Sequence, residues 1–189
     1  MKDHLLFLYF TIFIVFNACV PNRERLFLDI QQIDIPTSIP FSIGDYRSSV
    51  YFIDYKNEKY MGRMHPDSIF FSNLYRFYND EERLQLQLIE GKDLLVESIK
   101  LNSTLAHELE ELCTTYRKIW RINPNKICLF NLTVDLDHSI WLRLLLKDTN
   151  EEIILLFTDD FMNAINKSPE NQYKSEYREI NSSLYYRIL

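Results

Sequence analysis

The chain has 189 residues, carries 21 basic against 27 acidic side chains for a formal charge of −6, and contains 12 Tyr and 13 Phe but only 3 Gly. So acidic a surface excludes nucleic acid as an expected partner, and the aromatic content excludes a disordered or low-complexity chain. With glycine only at positions 44, 62 and 91 there is no phosphate-cradling loop, and no G-x-S-x-G nucleophile turn occurs.

Reading from the N-terminus, Lys2 precedes an apolar run from Leu5 to Phe16, with Thr11 inside it, which Asn17-Ala18-Cys19 closes. A basic start, an apolar stretch of about a dozen residues and a small residue form an export signal. A bilayer span needs about 20 apolar residues, more than this run supplies. The tetrad Phe16-Asn17-Ala18-Cys19 resembles the lipobox of bacterial lipoproteins. That resemblance implies that residues 1–18 are removed and that Cys19 is acylated, with palmitate among the chains, and becomes the new N-terminus. Residues 19–25 would then be a lipidated tether and 26–189 a single domain. Val20 is not the Asp of inner-membrane retention, and Asn22-Arg23-Glu24-Arg25 is not an acidic surface-export run. The resemblance therefore points to a Bacteroidota-like lipoprotein of the outer membrane, facing the periplasm.

Beyond the tether, Leu26, Leu28, Ile30, Ile33 and Ile35 form a broken alternation stopped by Pro36 and Pro40, which reads as an edge strand and a loop. Val50–Tyr55 and Tyr60–Met64 read as strands joined by the four-residue loop Lys56–Lys59. The aromatic run 69–78, Leu84–Leu88 and Leu94–Leu101 extend this into an antiparallel meander of about five strands over 49–101. Leu105, Leu109, Leu112, Cys113 and Tyr116 then recur at helical spacing, so the main helix is expected over about 104–118, ahead of Pro124. Ile127–Asp135, Ile140–Lys147 and Ile153–Phe157 read as strands, the last two apolar enough to be covered on both faces. Thr158-Asp159-Asp160 caps a short helix, the segment near 167–183 is polar and expected to be mobile, and Leu184–Leu189 suits a closing strand.

Together these elements predict an α+β fold, with antiparallel meander sheet packed on one main helix. The alternative is a partial β-propeller-like all-β fragment, suggested by Asp135–Trp141 and the meander. A full ring at about 40 residues per blade exceeds this chain.

Candidate chemistry is sparse. With Cys19 lipidated, Cys113 and Cys128 remain as an even pair in an oxidising compartment, so a disulfide and two separate buried thiols are both open. Neither has a His or Cys at metal-ligand spacing, so no metal and no cofactor are expected. His107-Glu108-Leu109-Glu110-Glu111 begins like a helical zinc-protease motif but has Glu111 where the second His belongs, and reads as a surface helix face. Asp135, Asp137 and His138 gather three ionisable groups at a strand end, either as hairpin-turn residues or as an acid, base or metal cluster. Three functions follow: a non-catalytic binding domain for a protein or glycan on a lipid anchor, a periplasmic immunity-type inhibitor, and a hydrolase or metal-dependent enzyme using Asp135, Asp137 and His138.

Overall fold

A computed structural model of the chain describes residues 22–46, 50–64, 71–77, 97–98 and 104–189. Two compact units divide it, 1–33 and 34–189. In the first, helix α1 spans Asn22–Gln31, beginning inside the stretch expected as tether. It replaces the expected edge strand. Leu26, Phe27 and Ile30 are buried along one side, and their spacing of one and three residues fits a helical turn better than a two-residue pleat.

The second unit is an α+β domain with its strands in one antiparallel sheet, not the blades of a propeller. The strands are β1 (Phe41–Tyr46), β2 (Val50–Tyr55), β3 (Glu58–Met64), β4 (Phe71–Phe77) and β5 (Glu97–Ser98), then β6 (Ile127–Val134), β7 (Ile140–Leu146), β8 (Glu151–Phe157), β9 (Arg178–Asn181) and β10 (Leu184–Ile188). Their order is β5-β4-β3-β2-β1-β6-β7-β8-β10-β9. Two meanders therefore grow outward from the β1–β6 seam, where Phe41 faces Val134 and Ile43 faces Leu132. Strand β1 lies where only a loop was expected. The expected strand Leu84–Leu88 lies outside the described residues, and of Leu94–Leu101 only β5 is described.

Helix α2, Thr104–Ile122, is the link in sequence from the first meander to the second. It runs past the expected end near Lys118 because Ile119 continues the buried stripe of Leu109, Leu112, Cys113 and Tyr116, until Pro124 forbids another turn. It packs on one sheet face, against β1, β4 and β6. The Tyr116 hydroxyl donates to the Leu129 carbonyl at 2.5 Å, and its ring meets Tyr51 edge-on at 5.8 Å. Glu110, expected on the wet side, is buried, because its carboxylate accepts the Phe71 amide at the start of β4 at 3.0 Å. That bond satisfies a buried backbone donor. On the same face Gly62 makes room for Phe71, since an added Cβ would fall inside that ring.

The opposite face is covered in the second half. Helix α3, Phe161–Lys167, is N-capped by Asp160, whose carboxylate accepts the Asn163 amide at 3.0 Å. A 3-10 helix follows at Pro169–Glu176, then β9, so the segment 167–183 read as polar and mobile carries regular structure. Ser168 caps the 3-10 helix, with Pro169 at its start, and Asn181 turns the chain into β10 by accepting the Ser183 amide at 3.0 Å. The C-terminal strand was expected from its apolar pattern. It pairs with β8 while β9 takes the sheet edge. Strand β8 is buried on both faces from Ile153 to Phe157, as expected, whereas β7 keeps Arg143 exposed.

A candidate binding face at the corner of the second meander

The β6–β7 turn is built by its own polar residues. The Asp135 amide donates to the Ser139 carbonyl and the His138 amide to the Asp135 carbonyl, both at 3.0 Å. This is a three-residue hairpin loop with its last residue, His138, in the left-handed region at φ 65°. Glycine would sit there without strain. Here the His138 ring nitrogen Nδ1 lies 2.8 Å from the Thr37 carbonyl, and the Asp137 carboxylate accepts the Ser139 amide at 3.1 Å.

Asp135, Asp137 and His138 therefore point to separate partners. Asp135 accepts the Trp141 indole N–H at 2.8 Å. Burial pushes its carboxyl above the ordinary aspartate range, the Trp141 bond opposes the rise, and the neighbouring charge of Asp137 adds to it. Asp137 also accepts the Asn163 side-chain amide at 3.2 Å, and Ser139 bonds Thr158 hydroxyl to hydroxyl at 3.2 Å. Turn and helix α3 are thereby stitched into one corner. Among the described residues no group of three His, Cys, Asp or Glu side chains is placed to hold a metal ion.

Behind the corner, on the face away from α2, lies a connected set of half-buried rings. Trp141 meets Tyr177 at 6.5 Å, Tyr177 meets Phe161 at 5.8 Å and Phe161 meets Tyr185 at 4.5 Å. Register explains the grouping: Trp141 and Tyr185 each flank Leu156 and so share its face. At the corner's rim two apolar side chains face water, Leu136 at 85% exposure and Met162 at 48%. They are sequence neighbours of the bonded pair Asp137 and Asn163.

The cover over this face is held by Arg187, which is only 5% exposed. Its guanidinium pairs with Glu170 at 3.0 Å and Glu176 at 3.5 Å and lies 3.9 Å from the Tyr173 ring centre. Its Nε has no hydrogen-bond partner. Alternation in Leu184, Tyr186 and Ile188 marks Arg187 as pointing to the other face, the one signal in the sequence that could have singled it out.

A groove of about 350 Å³ opens at the start of β1, between the β2–β3 hairpin and the end of β6, with Ser42, Asp54, Lys59 and Thr133 in one cross-strand row. Its polar groups answer one another: Ser42, Asn131 and Thr133 form a closed ring of hydrogen bonds at 3.1–3.3 Å, and Lys59 pairs with Asp54 at 3.7 Å. The hairpin beside it has a two-residue loop, not four, with Lys56 and Asn57 at φ 53° and 61°. Lys56 is held by Glu108 of α2 at 2.6 Å.

No disulfide joins Cys113 to Cys128. Cys113 is buried on α2. Cys128 alternates with Ile127 and Leu129, the buried side of β6, and so points to the sheet face away from α2. His107 and Glu111 are exposed, as a surface helix face requires, while Glu110 between them is buried. Cys19 lies outside the described residues, and no described helix is long and apolar enough to cross a membrane. Comparison with protein-family models, curated proteins and solved structures finds no match.

Proposed function

We propose that this chain is a lipid-anchored cell-envelope protein whose domain acts by holding another protein, without catalysing a reaction. The observation that carries the binding half is the corner. Leu136 stands exposed at the tip of a stitched turn, backed by the Trp141–Tyr177–Phe161–Tyr185 ring set. Exposed apolar side chains on a rigid, aromatic-backed support are what protein interfaces use as anchors. Asp135, Asp137 and His138 support the same reading, since each is engaged in shaping that support. The anchoring half rests on Ala18-Cys19 at the end of the apolar leader, and two or more acyl chains make attachment stable.

Palmitate labelling of the full chain in a bacterial envelope tests the anchor. The wild type labels and sediments with membranes, and Cys19→Ser does neither. A Cys19→Ser chain that still labels at the wild-type level contradicts it. For the binding half, the corner must be covered by another protein in the envelope, and a corner equally open before and after extraction contradicts it.

A further inference from the structure

We infer that the partner is a protein presenting a basic surface, with Lys or Arg side chains framing an apolar recess that receives Leu136. This rests on the binding role proposed above and names the partner's chemistry. The corner brings Asp137 and Asp160 together, because both bond to Asn163, with Asp135 and Asp159 close by in sequence and Leu136 and Met162 exposed beside them. No Lys or Arg occurs in 127–142 or in 148–166; the nearest to the corner in sequence are Arg143, which pairs with Glu152, and Lys167 at the far end of α3. The one basic side chain of the turn, His138, has its Nδ1 turned to Thr37.

An apolar tip flanked by carboxylates that accept only from neutral donors, with no cation paired to them among the described residues, discriminates among occupants. A second copy would bring the same four aspartates against themselves in a two-fold contact, and like charges across an interface are costly. A nucleic-acid backbone or anionic lipid headgroup is repelled for the same reason. A sugar stacks on an open ring face, whereas Trp141, Phe161, Tyr177 and Tyr185 are each half-buried against one another. A basic protein surface gains the charge complement and buries Leu136 and Met162 as well.

The test places a photo-crosslinking p-benzoylphenylalanine at position 136, 162 or, as a control at the far end of β7, 147 in the full-length anchored chain. The expected result is an adduct from 136 and 162 and none from 147. Mass spectrometry then places the link in a Lys- or Arg-rich partner peptide. Raising the salt cuts the yield, since charge attraction is screened beyond the Debye length. Asp159→Asn with Asp160→Asn removes two charges while asparagine keeps the helix cap, and should lower the yield about tenfold. An adduct to a peptide without basic residues, a yield indifferent to salt and to the double variant, or an adduct between two copies of this chain overturns the inference while leaving the binding role standing. No adduct at any of the three positions overturns both.

Discussion

The two meanders use the same antiparallel pattern but are covered in opposite ways. On the first, α2 lies on the sheet and reaches across the seam to β6, with its polar groups turned inward to serve the backbone: Glu110 takes the Phe71 amide of β4 and Tyr116 donates to the Leu129 carbonyl of β6. In the second, α3 and the 3-10 helix lie on the other face, and their cover is made of half-buried rings and one buried guanidinium. The first arrangement seals a core. The second leaves an aromatic, acid-fringed face partly open.

Truncation of α2's central ring should do the most damage. Tyr116→Ala removes a ring that is 2% exposed and should cost about 3–5 kcal/mol in chemical denaturation, whereas Tyr116→Phe, which loses only the bond to Leu129, should cost about 1 kcal/mol. If both variants unfold at the wild-type midpoint, α2 is not the keystone of the first half.

Next in size is the Arg187 latch. Glu170→Ala strips a carboxylate from a buried guanidinium and should cost about 3 kcal/mol, whereas Arg187→Met, which removes the charge and keeps the volume, should cost clearly less. Hydrogen exchange should show the loss confined to 168–181 and β10. An equal loss of protection around α2 would show that the two halves are not separately held.

Smaller effects come from titration. Burial and, for Tyr60, its bond to Glu58 raise the phenols of Tyr60 and Tyr177. In the unfolded chain these groups lose protons near pH ~10, so there the unfolded state binds fewer protons and stability falls as pH rises. Tyr60→Phe and Tyr177→Phe should each blunt that alkaline decline in a thermal-melt series, one from each half. A slope unchanged in both contradicts the assignment.

The smallest effect is at the corner. Asp135 has a raised carboxyl in the folded state, so its charged form costs stability at neutral pH and the cost fades as acid protonates it. Asp135→Asn keeps an acceptor for Trp141 and should raise the melting temperature slightly near pH 7, with the gain vanishing in acid. A loss at pH 7 would mean the charge, not the acceptor, holds Trp141.

How much of this could be read from the chain alone follows from the range of the interactions. Strands β2, β3 and β6–β8 and helix α2 announce themselves by local periodicity, and Asp160 was legible as a cap from its place before Phe161. Strand β1 was not, because its local apolar signal is short: Phe41 and Ile43 are buried, with Pro40 just before and Gly44-Asp45 following. What makes it a strand is pairing with β6 some ninety residues away, where Phe41 meets Val134, and no local pattern reports that. The same limit applies to the site. Asp135, Asp137 and His138 were visible as a cluster, but their separate partners, Trp141, Asn163 and Thr37, come together only through the fold. Cys113 and Cys128 sit on apolar stripes in sequence, yet the pleat turns Cys128 to the face opposite the helix that carries Cys113.

If the second half's corner holds a partner, as proposed above, and the first half's helix face only supports the fold, the two should differ in the envelope. Amide hydrogen exchange on the anchored protein in its native envelope, compared with the same protein after detergent extraction, tests it most directly. Extra protection is expected at 135–139 and 158–163 in the envelope that disappears on extraction, with no change across Thr104–Ile122. Protection that is the same in both states at the corner, or that changes across α2 instead, contradicts it.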